Sequence, residues 1–141
     1  MKKTMPQKNK RTRESNNLEV NVETVTILRT VGDNEAFNFY EALGKPTGET
    51  ARNLSDFLEK VKSVKLESLV FHLQRNDFQN WIEKTLGDSK LARKLGMISS
   101  SNRDDIRMNI HRTVENRIKE LRESSCALLV AENSTVLLPS H

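Results

Sequence analysis

The sequence predicts a mainly α fold, a compact bundle of about five helices, with short strands at residues 18–31 and 126–138. Three observations carry that expectation. Between residues 51 and 121 apolar residues recur at three- and four-residue steps, the spacing that places them on one face of a helix. Between those stripes stand residues that stop and start helices, among them Gly44, Gly87, Gly96, Asn76, Asp77 and Asp88. Toward the ends the pattern changes to β-branched and apolar runs, which favour extended chain.

Taken in order, residues 1–17 read as a disordered basic tail, because they have no apolar periodicity with which to offset the entropy of ordering. Residues 18–35 form a lead segment. In it Leu18, Val20 and Val22 alternate with Glu19, Asn21 and Glu23 and favour a strand, although Leu18, Val22, Val25 and Leu28 also fit a helical stripe. A helical domain follows over 36–125. Its first piece, Ala36 to Leu43, is a short apolar element ended by Gly44 and Pro46, and it should pack against the helices.

From Thr47 the spacing predicts a helix of about 14 residues, with Ala51, Leu54, Leu58 and Val61 in one stripe and Phe57 widening it. A second helix turns Leu66, Leu69, Val70 and Leu73 inward and ends near Asn76. Asn76 or Asp77 is placed to cap a third, whose apolar face is Phe78, Trp81, Ile82 and Leu86. Gly87 stops it, Asp88 or Ser89 caps a short fourth helix with Leu91, Ala92 and Leu95 inward, and a fifth runs from about Arg103 to Glu123 on Ile106, Ile110, Val114, Ile118 and Leu121. Residues 126–141 are a C-terminal apolar segment, read as a hairpin partner for 18–31, with a continuing helix as the alternative.

Charge is segregated. Lys2, Lys3, Lys8, Lys10, Arg11 and Arg13 face only Glu14 within the first fifteen residues, so the net charge of +4 resides there and the rest of the chain is close to neutral. Such a tail can hold RNA or DNA phosphates by counterion release, without reading sequence. The basic residues of the fifth helix, Arg103, Arg107, Arg112, Arg117, Lys119 and Arg122, interleave with acids and read as a solvated face. Cys126 is the single cysteine, which excludes an internal disulfide framework and suits a reducing, cytoplasmic compartment. No apolar run is long enough to span a membrane, and no secretory signal pattern is present.

His72, Arg75 and Asp77 are the sharpest candidate site. His72 and Arg75 lie three apart on one helix face with Asp77 in the following turn, and an Arg fork can hold a carboxylate or phosphate. The structural alternative is that Asp77 caps the next helix and pairs with Arg75 or His72, fixing the angle between two helices. His72, His111 and His141 lack metal-ligand spacing, and no cofactor is expected. Cys126 sits in the apolar run CALLV and reads as a buried small residue, not a nucleophile. GKPTGET lacks the glycine and lysine order of a phosphate-binding loop and reads as a loop entering a helix.

The stretches FNFYEALGKPTGETARNLSDF and SLVFHLQRNDFQNWIEKTLGDSKLA resemble a largely archaeal family of small helical domains of unknown function, over roughly Phe37 to Leu95. The resemblance implies a compact helical fold and an accessory role beside enzymes of carbohydrate metabolism, and it brings no activity. The segment after Leu95 falls outside it. The function expected on all these grounds is a non-enzymatic interaction or regulatory module with a protein partner. Nucleic-acid binding through the tail is the alternative, and a small enzyme or anion site at His72, Arg75 and Asp77 comes third; homo-oligomers are compatible with each.

Overall fold

A computed structural model describes the backbone of residues 22–140 and the side chains of residues 22–124. It is mainly α, in line with the periodicity: among the described residues six α-helices accompany one small antiparallel sheet. The lead segment is helical over 22–28 (α1) and not a strand. The residues it buries are Thr24, Ile27 and Val31, with Leu28 against the core, so the i, i+3, i+4, i+7 stripe is real. It is rotated away from Val22 and Val25, which are exposed. The β-branched alternation there carries no burial, and tertiary packing of Ile27 decides the conformation.

After a 3-10 turn at Asp33–Glu35, the apolar element becomes strand β1 (Phe37–Ala42), paired with β2 (Lys45–Ala51). β1 forms because Phe37 and Phe39 alternate into the core. The expected helix from Thr47 is therefore wrong in its first turns: GKPTGET is the hairpin turn and returning strand. Gly44 takes φ 71° in the two-residue turn between Ala42 and Lys45, and Gly48 takes φ 86° where the register slips between Asn38 and Tyr40. Thr47 closes that irregularity, donating from Oγ1 to the Phe39 carbonyl (2.9 Å) and accepting from the Glu49 amide (3.0 Å). Ala51 is buried opposite Phe37 on the sheet, which is why its spacing mimics the helical stripe that follows.

Helix α2 (Leu54–Ser63) starts where Asn53 Oδ1 accepts the Asp56 amide at 2.7 Å, and it buries Leu54, Phe57 and Val61. α3 (Leu66–Arg75) ends at Asn76, whose φ of 64° makes it a left-handed stop without any side-chain cap bond to the next helix. The expected capping role therefore fails for both residues: Asn76 turns the chain, and Asp77 is the first residue of α4 (Asp77–Asn80). α4 continues as a π-helical turn, Trp81–Leu86, stopped by Gly87 at φ 86°. Asp88 caps α5 (Ser89–Gly96), accepting the Leu91 amide at 3.2 Å.

The last helix, α6 (Arg103–Ser140), carries the expected stripe from Ile106 to Leu121 and continues through 126–138, so the C-terminal segment is helix and pairs with no strand. α2, α3 and α5 pack on α6, while β1 lies across α3. Among the described residues no helix is long and apolar enough to cross a membrane.

Candidate functional site

The chain's five Phe, one Tyr and one Trp all fall between Phe37 and Trp81, and they converge where β1, α3 and α4 meet. His72 sits among them, 3% exposed, with the rings of Phe37, Phe71 and Phe78 centred 4.8, 5.0 and 5.4 Å away. Both imidazole nitrogens are engaged. The Tyr40 amide donates to Nε2 at 2.8 Å, and Nδ1 lies 2.8 Å from Asp77 Oδ2. A backbone N–H can only donate, so Nε2 must be the unprotonated nitrogen and Nδ1–H donates to the carboxylate. Burial pushes the His72 pKa below its ordinary value, outweighing the opposite pull of Asp77.

The sequence trio is thus brought together, and its members divide. His72 ties β1 to α3 and α4, with no free lone pair to act as a base. Asp77 Oδ2 also accepts from Arg75 Nε at 3.1 Å. This is the pairing of Asp77 with Arg75 and His72 that the structural alternative describes. Arg75 itself is half exposed, with its guanidinium carbon 5.1 Å from the centre of the Phe71 ring, and its two terminal nitrogens have no partner among the described residues.

Arg75 and Asp77 border a cleft of about 470 Å³. Phe37, His72 and Trp81 form its buried parts, Asn38 and Tyr40 bring in β1, Phe71 flanks Arg75, and the hairpin tip contributes Leu43, which is 78% exposed. Trp81 is locked in place by donating Nε1–H to the Glu35 carbonyl at 2.8 Å. Phe78 and Trp81 are core anchors, as their spacing implied, and Trp81 also shows one side to the cleft.

A second buried polar group escaped the sequence. Arg117, expected on a solvated face, is 8% exposed and holds Asp88 through Nε (2.7 Å) and Nη2 (3.2 Å), with Glu120 accepting from Nη1. Burial alone would lower the Arg117 pKa; the bonds and charges of Asp88 and Glu120 outweigh it and raise it. The signal was present, since Arg117 falls in step with Ile110, Val114 and Leu121 on the seam that meets α5. Arg107 is also no solvated residue: its Nη1 donates to the carbonyls of Val61 (2.7 Å) and Val64 (2.7 Å) at the end of α2. His111 Nε2 is buried without a partner among the described residues, where no three His, Cys, Asp or Glu side chains gather to hold a metal. The six basic tail residues and His141 lie outside the described residues, as does the side chain of Cys126.

The fold and cleft define a small, mainly helical domain with an aromatic cleft under a β-hairpin. A family of unknown function, DUF5752, matches residues 74–132. The match begins just after His72, takes in Arg75, Asp77 and the Asp88–Arg117 pair, and runs through the packed part of α6. It therefore extends past Leu95, where the resemblance read from the sequence stopped, and it does not include 37–73. Comparison with curated proteins and with solved structures finds no match.

Proposed function

We propose that the domain is a non-enzymatic interaction module that binds a partner protein through the cleft between the hairpin and α3–α4. One observation carries this reading: the acid–base candidate of the cleft, His72, spends both ring nitrogens on the fold, while the exposed Leu43 and Arg75 and the half-buried Tyr40 offer apolar, guanidinium and phenol surface to the cleft. The single cysteine suits a reducing, cytoplasmic setting for such a partner. Affinity capture with residues 1–17 deleted tests it. The truncated chain retains its specific protein partners, and Leu43→Glu in that chain releases them. Loss of every partner with the tail, or indifference to Leu43→Glu, removes the cleft from the account.

A second reading rests on the segregated charge: the tail holds RNA or DNA by its phosphates, independently of the cleft. Binding should then weaken steeply with salt and with neutralisation of Lys2, Lys3, Lys8, Lys10, Arg11 and Arg13. Salt-independent binding would leave it without a basis.

A further inference from the structure

We infer that the cleft selects ligands carrying a single carboxylate on an apolar body, the carboxylate at Arg75 and the body against Phe37 and Trp81. The inference rests on the reading of this cleft as a binding surface and adds the chemistry of what it takes. Arg75 is pre-set for the task. Asp77 fixes Nε at 3.1 Å and the Phe71 ring lies under the guanidinium at 5.1 Å, so little side-chain freedom remains to be lost when the terminal nitrogens engage a ligand. Two parallel N–H groups match the two oxygens of a carboxylate.

Charge decides between anions. Among the described residues Arg75 is the one Lys or Arg that lines the cleft, and Asp77 is beside it, so this part of the site is close to neutral before anything binds. A monoanion is accommodated there. A phosphate dianion would meet the Asp77 carboxylate with no second cation among the described lining residues to offset it. One wall of the cleft is apolar: His72 and the Trp81 indole have already placed their polar atoms in the fold, and what they and Phe37 offer is ring surface, while Asn38 and Tyr40 line the cleft from β1. The volume, about 470 Å³, suits a ring or a branched side chain with its carboxylate. Free acids and the C-terminal residue of a peptide share this chemistry.

Trp81 is the chain's single Trp and lines the cleft, so its fluorescence and its indole N–H resonance report occupancy. The full-length protein is titrated with phenylacetate, phenylacetamide and phenyl phosphate, and with a short peptide ending in Phe whose terminus is free or amidated. Phenylacetate or the free-ended peptide should shift the Trp81 signal to saturation, with the matching amide about tenfold weaker or more and phenyl phosphate no tighter than the acid. Arg75→Gln should make acid and amide equal. A tighter peptide identifies a chain end as the source, and a tighter small acid identifies a free ligand; either supports the site. Equal binding of acid and amide to the native chain, an acid preference that survives Arg75→Gln, or no response of Trp81 to any probe overturns it. The acid–amide comparison on the native chain decides alone if Arg75→Gln fails to fold. Partner capture that still depends on Leu43 while acid and amide bind alike sinks the carboxylate and leaves the interaction module standing.

Discussion

Two buried polar junctions hold this domain together, and they solve the same problem in opposite ways. At the β1–α3–α4 junction, His72 is kept neutral inside a shell of aromatic rings, with a backbone amide on one nitrogen and Asp77 on the other. At the α5–α6 junction, Arg117 is kept charged among aliphatic side chains by a two-point bond to Asp88. The aliphatic junction is closed: Asp88 is 2% exposed and both helices bury their seams around it. The aromatic one opens on a cleft, because rings packed edge to face under a two-stranded sheet leave space at its margin. The difference teaches where to look for function. A strong polar pair can be wholly structural, and the group left for the proposed binding is the one whose hydrogen-bond donors the fold has not used, here the outer edge of Arg75.

The comparison can be broken from either side. The largest effect belongs to the sealed junction. Asp88→Ala leaves Arg117 charged and buried with only the half-exposed Glu120 for a partner and removes the cap of α5, so urea unfolding should show a loss of about 3–5 kcal/mol. Adding Arg117→Met should return a large part of that loss, since an apolar pair needs no compensation. A loss under about 1 kcal/mol for Asp88→Ala would mean that the pair is solvated.

At the aromatic junction, His72→Phe keeps a ring, strands the Tyr40 amide and leaves the Asp77 carboxylate with Arg75 alone, at a cost of about 2–3 kcal/mol in the same assay. Its pH dependence has a definite sign. The folded pKa of His72 lies below the unfolded value of about 6.5, so the unfolded chain takes the proton first. The contribution of His72 is therefore complete above that pH and is lost as pH falls through it toward the folded pKa. The native chain should lose stability in that window, and the His72→Phe chain should lack this component of the slope. Smaller still, Arg107→Met should cost about 1–2 kcal/mol, because two carbonyls at the end of α2 lose their donor. Smallest is Lys60→Met: the Lys60–Glu49 bond of 2.7 Å is solvent-facing, and its loss should leave the urea midpoint close to that of the native chain.

Much of α3 to α6 could be read from the sequence, because their stripes from Leu66 to Leu121 keep the helical period and Gly87 and Asp88 mark a stop and a start. The hairpin could not. Gly48 and the Thr47 side chain create a register slip that destroys the alternation of β2, and Ala51 stands at a helical distance from Leu54 although it belongs to a strand. α1 reads as a strand because Val22 and Val25, whose branching suggests one, face solvent, while the residues that anchor it, Thr24, Ile27 and Leu28, are few. Within the candidate site, His72, Arg75 and Asp77 were legible together since they lie within six positions of one another. The partner that defines the role of His72 is the Tyr40 amide, 32 residues away, and backbone donors leave no mark on a sequence. Arg117 was overlooked because its acidic neighbours disguised its place on the seam.

The division of labour between His72 and Arg75 underlies the whole account, and the imidazole nitrogens report on it directly. Two-bond ¹H–¹⁵N correlation spectra of His72 near neutral pH should show Nδ1 protonated and Nε2 bare, with a titration midpoint below about 6.5. A proton on Nε2, or a midpoint above that value, would contradict the account, for it would free His72 from the Tyr40 amide and return it to the cleft as a working acid or base.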